Sequence, residues 1–186
     1  GWAVQKTAAT NLAAFSSPGF GPIGHVIEGR ADLLLKATRW PAVADEPADI
    51  EPAPVALVAA ALGEGPELLE AVGQGHWRGL VVQALGAGHL PASWVEPLER
   101  LARDMPVVLA TRVSRGPVLT ETYAFPGSEQ DLIARGLIPA GYLSASKARI
   151  LLSLALGAGR GAQEAGALFR TGARAGRPGA RSAVQV

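Results

Sequence analysis

Cysteine is absent from all 186 residues, which excludes disulfides, a thiol nucleophile and any thiolate metal site. Net charge is nearly absent too. Seventeen Lys and Arg against sixteen Asp and Glu leave +1, so no global field draws the chain to nucleic acid or to an anionic membrane surface. Long hydrophobic runs are missing, none approaching the roughly 18–20 residues of a membrane span. His25, His76 and His89 show no His-x-x-x-His spacing, which predicts no metal centre, and no other residue set calls for a cofactor. No serine lies in a Gly-x-Ser-x-Gly context, so a serine-hydrolase elbow is not supported. Methionine occurs once, at Met105, and the first residue is Gly1. The sequence is therefore expected to be a portion of a longer or processed product, any export signal lying upstream.

What is present is an apolar fraction of 48 %, enough for the core of one medium domain. Residues 1–37 are rich in Thr, Ser, Gly and Pro, with short apolar stretches and no helical period, which predicts irregular strands and turns. Residues 38–54 hold four prolines and read as an extended linker. From 55 to 170 a regular alternation sets in. The apolar runs 55-VALVAAAL-62, 79-GLVVQAL-85 and 106-PVVLATR-112 are separated by helical patterns. Pro66 opens one such pattern and Gly73 closes it. Trp94, Leu98, Leu101 and Met105 mark one face of the next, and Ser128 with Asp131 forms a capping-box signature. Ser144 precedes a fourth, striped by Ala148, Leu151, Leu152 and Ala155. Continuous strands alternating with amphipathic helices predict a doubly wound, flavodoxin-like α/β fold with a parallel sheet. Residues 171–186 read as a disordered basic tail, with Leu168 and Phe169 suggesting a last helical turn before it.

Ligands of such sheets collect at the carboxyl ends of the strands. One such end carries Gly86-Ala87-Gly88-His89. A phosphate cradle is a poor reading, because the Lys-Ser/Thr pair of a Walker loop is missing and Pro91 stands where a dinucleotide fingerprint needs Gly or Ala. A substrate loop and a plain strand-to-helix turn both fit the local pattern: glycines let backbone approach a ligand, and His89 offers a hydrogen-bonding side chain. Lys6, taken alone, reads as a surface lysine.

Several strings in order then resemble the L-asparaginase family. They are 4-VQKT-7, Phe15-Ser16-Ser17-Pro18, Gly21-Pro22-Ile23-Gly24, the Gly-x-Gly loop at 86–88, 107-VVLATRVSRG-116 and 136-GLIPAGYLSASKARILLSLAL-156. The resemblance covers residues 3 to about 156 and makes 1–37 the end of an N-terminal domain, 38–54 a linker and 55–170 a C-terminal domain.

It implies hydrolysis of L-asparagine to L-aspartate and ammonia by a threonine nucleophile, without a cofactor. The threonine motifs that carry that chemistry, Thr-Gly-Gly and Gly-Thr-Asp-Thr, do not occur here, so this chain is expected to be inactive alone. The family's activating lysine corresponds to Lys6. Gly88 and His89 correspond to the loop that one subunit lends to its neighbour's substrate, but the family has Asn or Ser where His89 stands. A family glutamate falls by counting at Tyr123, with Glu121 two residues earlier, and the need of an α-ammonium for an anionic partner favours Glu121. The resemblance further implies a small amino-acid amide as substrate and a homodimer or homotetramer. A cytoplasmic setting is expected as well, and the charge balance and short apolar runs predict neither nucleic-acid nor membrane partners. Two alternatives stand beside it: a non-catalytic ligand-binding module of the same fold, and the amidase domain of a glutamyl-tRNA amidotransferase.

Overall fold

The computed structural model describes residues 2–36, 42–43 and 50–174, the last four as backbone only. Most of the proline-rich linker, and the tail beyond 174, lie outside the described residues. The first segment forms two small antiparallel hairpins. Strand β1 (Gln5–Lys6) pairs with β2 (Phe15–Ser16), and β3 (Gly24–Ile27) pairs with β4 (Arg30–Leu33). Their apolar side chains are exposed, Phe15, Val26 and Leu33 among them, so this segment has no core of its own.

Beyond it lies one four-stranded parallel sheet. Its strands are β5 (Val55–Ala59), β6 (Gly79–Ala84), β7 (Val107–Thr111) and β8 (Ile138–Pro139), in the spatial order β5-β6-β7-β8. The connecting helices are α1 (Glu67–Gly73), α2 (Ala92–Asp104) and α3 (Glu129–Ala134), followed by α4 (Ala145–Gly157) and α5 (Ala162–Arg174). Because the sheet grows in one direction, same-handed crossovers deposit α1, α2 and α3 on one face. Leu69, Trp94, Leu98 and Leu132 from these helices pack there against Val58, Leu80, Val82 and Leu109. The opposite face is covered by α4 and α5, whose Ala148, Leu152, Leu168 and Phe169 meet Val55, Val81, Val108 and Ala110. Alternate strand residues thus feed two separate cores, each large side chain contributing roughly 1.5–3 kcal/mol on burial. This is the expected α/β class with a parallel sheet and helices on both faces.

Three details differ from the sequence reading. β5 is apolar throughout, yet Leu57 and Ala59 are exposed, because an edge strand needs cover only where a helix reaches it. A fourth strand exists although Pro139 sits in it; a two-residue edge strand tolerates a residue that cannot donate. The end of the chain is more than a last turn. α5 runs thirteen residues to Arg174, anchored by Ala165, Leu168 and Phe169 at helical spacing, which an Ala/Gly/Arg-rich composition disguises.

Candidate active-site loops at the carboxyl end of the sheet

The loop after β6 is a tight turn. The N–H groups of Gly88 and His89 both bond the carbonyl of Leu85, at 3.0 and 2.8 Å, and Leu85 N–H returns to the His89 carbonyl at 3.0 Å. The Gly88 and His89 amides are thus used internally and are not offered to a ligand. Gly88 has φ +120° and is buried. A Cβ there would stand 2.9 Å from Val118 Cγ1 and 3.4 Å from Glu129 Cβ, so only glycine lets the turn lie this close to the next loop.

Backbone and side-chain bonds then stitch the loops after β6, β7 and β8 together. Thr111 Oγ1, at the end of β7, donates to the Gly86 carbonyl at 2.5 Å. Leu119 N–H donates to Ala87, Leu90 N–H to Gly127, and Val118 N–H to Gly141. The segment 112–128 therefore folds back over the Gly-x-Gly turn instead of standing away from it.

That fold brings His89, Tyr123, Phe125 and Glu129 together. The imidazole stands edge-on to Tyr123, with ring centres 4.8 Å apart, and to Phe125 at 5.0 Å. Behind it lies Glu129, the first residue of α3, fully buried. Its Oε1 accepts the N–H groups of Thr122 at 3.0 Å and Tyr123 at 2.7 Å. Its Oε2 lies 3.3 Å from His89 Nε2. The approach is close without hydrogen-bond alignment, and both atoms are buried with no other partner among the described residues. Burial opposes ionisation of Glu129. The backbone N–H groups of Tyr123, Glu129 itself and Thr122, helped by the imidazole, outweigh it and hold the carboxyl below its ordinary value.

The start of α3 is secured around this carboxylate. Ser128 Oγ donates to the Tyr123 carbonyl at 2.8 Å, and Asp131 accepts Gly127 N–H at 2.9 Å. The expected capping box is thus shifted: Asp131 satisfies the residue before the cap, and Ser128 turns to the loop. Burial works against ionisation of Asp131 as well, but the Gly127 N–H and the Arg135 guanidinium win, so its carboxyl is also held low.

Of the residues singled out by sequence, Gly88, His89 and Tyr123 share this site. Glu121 is exposed and has no side-chain hydrogen bond or ion pair among the described residues. Lys6 lies on β1, also exposed and without a side-chain partner among the described residues. Its strand is nevertheless tied to the sheet domain. Lys147 Nζ, near the start of α4, donates to the carbonyls of Trp2, at 2.7 Å, and Val4. Trp2, Phe20 and Tyr142 form an aromatic cluster beside it, with Trp2 and Phe20 4.8 Å apart. Burial lowers the Lys147 ammonium below its ordinary value. The next turns of α4 hold the entry to β5, where Arg149 donates to Val55 at 2.8 Å and Ser153 to Ala53 at 2.5 Å.

Glu129 escaped the sequence reading. An acidic residue opening a helix is commonplace, because it favours the helix dipole wherever it points. Among the described residues no cluster of His, Cys, Asp or Glu could hold a metal ion, and no helix is long and apolar enough to cross a membrane.

Residues 54–169, the whole sheet domain with most of α5, match the family described as the glutaminase/asparaginase C-terminal domain. The chain belongs to this family. Among curated relatives, a probable L-asparaginase of Deinococcus radiodurans is 42 % identical over 94 residues, covering 50 % of this chain and 28 % of that protein. A probable periplasmic L-asparaginase of Haemophilus influenzae is 29 % identical over 157 residues, 82 % of this chain and 43 % of that protein. A glutamyl-tRNA(Gln) amidotransferase component of Aeropyrum pernix is 30 % identical over 156 residues, 81 % of this chain and 35 % of that protein. The chain thus spans less than half the length of each of these relatives. In this domain the stitched loops at 85–91 and 112–129 form the surface at the carboxyl ends of the strands.

Proposed function

We propose that this chain is the C-terminal part of an L-asparaginase-type amidohydrolase, in which the loops at 85–91 and 112–129 contact the substrate of a neighbouring subunit. The observation that carries the reading is His89, held on a glycine turn at the carboxyl end of an asparaginase-family sheet. Two relatives bearing asparaginase names support it.

In this reading Lys6 is the catalytic residue of the chain. A lysine ammonium beside hydroxyl and carboxylate partners moves a proton and helps activate a weak nucleophile. The threonine motifs that would supply those partners do not occur in these 186 residues, so the chain by itself performs no turnover. Gly88 and His89 meet the amino-acid end of the substrate. Tyr123, whose ring borders His89, takes the place next to it, and the exposed Glu121 lies two residues further back. The site completes itself only across an interface, in a homodimer or in a tetramer of dimers.

The test is ammonia release from L-asparagine. None is expected from the 186-residue chain. In a longer chain bearing both threonine motifs, Lys6→Ala should lower kcat by about 10²–10⁴-fold. His89→Ala should act mainly on KM, raising it about tenfold or more, as expected for a lost hydrogen bond to a charged group. Turnover by the short chain, or an unchanged His89→Ala enzyme from pH 5 to 8, would overturn these assignments.

The Aeropyrum relative favours a second reading, an amidase domain serving a tRNA-dependent amidotransferase. Amide hydrolysis that rises only when glutamyl-tRNA is supplied would select it.

A further inference from the structure

The geometry points to a role for Glu129: we propose that it is the positioning residue for His89, fixing a proton on Nε2 so that Nδ1 becomes the acceptor offered to the substrate's α-ammonium. This rests on the reading of His89 as a substrate contact.

Glu129 has one carboxylate oxygen engaged and one spare. Oε1 holds the Thr122 and Tyr123 N–H groups, while Oε2 is buried and has no neighbour of opposite character except His89 Nε2 at 3.3 Å. Nε2 is equally buried and equally without another partner. A neutral imidazole carries its proton on one nitrogen only. With the proton on Nδ1, two lone pairs would face each other in a site that water does not reach. With the proton on Nε2, both orphaned atoms are satisfied by one small ring adjustment. A buried acceptor left unpaired disfavours its state by roughly 5- to 150-fold, so the Nε2–H form dominates. The backbone N–H groups that keep the carboxyl ionised act in the same direction.

The ring cannot easily turn away. Tyr123 and Phe125 meet it edge-on, and the loop beneath it is closed by Leu85. The exposed part of the side chain, 27 %, excludes Nε2, and Nδ1 has no hydrogen-bond partner among the described residues. In its neutral form, a ring locked in this way presents an acceptor, which suits an ammonium and not a carboxylate. An Asn or Ser at this position could present either character; His89 over Glu129 presents one. The pair thus narrows what this corner of the pocket binds to the amino end of an amino acid.

The experiment is a long-range ¹H–¹⁵N imidazole spectrum of the uniformly labelled 186-residue chain at pH 8. The three histidines are assigned with His25→Gln and His76→Gln. Nε2 of His89 is expected to carry a proton. In Glu129→Gln, the amide oxygen keeps the Thr122 and Tyr123 N–H groups and the amide NH₂ faces the ring, so His89 should switch to the Nδ1–H form while the other two histidines stay unchanged. A native ring protonated only on Nδ1 would overturn the proposal, as would a folded Glu129→Gln chain with the native tautomer. Should that variant not fold, the native spectrum decides alone. No turnover enters this readout. A contrary tautomer leaves the amide-hydrolysis reading standing, and a longer chain without asparaginase activity leaves the positioning result standing.

Discussion

Gly86 and Gly88 flank the same turn, two residues apart, yet a methyl group added to each meets different surroundings. Gly86 has φ +48° and nothing within 4 Å of the added carbon, so Gly86→Ala carries only the left-handed backbone cost, about 1 kcal/mol. Gly88 has φ +120°, a region that alanine rarely adopts, which costs about 1–3 kcal/mol. Its added carbon would also press on Val118 at 2.9 Å in a buried seam, where overpacking costs about 1–3 kcal/mol more. Gly88→Ala is therefore expected to lose about 2–6 kcal/mol, several times the loss at Gly86. Urea unfolding of the 186-residue chain reads this directly, because Trp94 is fully buried and its fluorescence reports on the core under the loop. With an m-value near 2 kcal/mol/M, the Gly88→Ala midpoint should fall by roughly 1–3 M. Near-equal midpoints for the two variants would refute the claim that the loops after β6 and β7 are pressed together at Gly88.

The remaining predictions concern charge and the attachment of the first segment. Glu129 and Asp131 have folded pKa values below their ordinary 4.5 and 3.8, so their contribution to stability is complete above those values and is lost as pH falls through the lower, folded ones. Acid unfolding followed by circular dichroism should steepen below about pH 4.5, and Glu129→Gln with Asp131→Asn should flatten that slope. Lys147→Met removes the donor that holds the Trp2 and Val4 carbonyls. Limited proteolysis should then cut within residues 2–20 faster than in the parent, while the 54–169 fragment survives unchanged; equal cutting would show that the Lys147 bonds do not hold the segment.

Much of the fold is legible in the residues. The stretches 79–82 and 106–110 are apolar at every position because β6 and β7 are central strands with a helix on each face. The stripe Trp94, Leu98 and Leu101 could belong only to a helix seated on that sheet. α5 is hidden for a compositional reason, since alanine and glycine fill the positions where leucine would announce a core-facing side. The site is half legible. Gly86-Ala87-Gly88-His89 stands out by its glycines and its position after a buried strand. Glu129 does not, because its burial depends on residues 112–128 folding back over the turn, and nothing local in that segment dictates its path. Tyr123 and Glu121 show the same limit from the other side. Counting along the chain puts them two residues apart, yet the fold sets one against the imidazole and leaves the other in solvent.

His89 and Glu129 make sense only as a pair. A histidine where the family resemblance leads one to expect asparagine or serine looks like an isolated departure, bulkier and able to titrate. A fully buried glutamate with an unused oxygen looks like a defect, since such a carboxylate ordinarily costs stability unless it is paired. They stand 3.3 Å apart, and in the proposed tautomer each removes the other's anomaly: an Nε2–H gives the carboxylate the donor it lacks, and the carboxylate fixes the hydrogen-bonding character that the imidazole would otherwise leave open. The glycine at 88 completes the arrangement, because the Glu129 Cβ lies 3.4 Å from where a Gly88 side chain would begin. A change at His89 alone therefore leaves a buried charge without a donor, and a change at Gly88 alone leaves a turn without room.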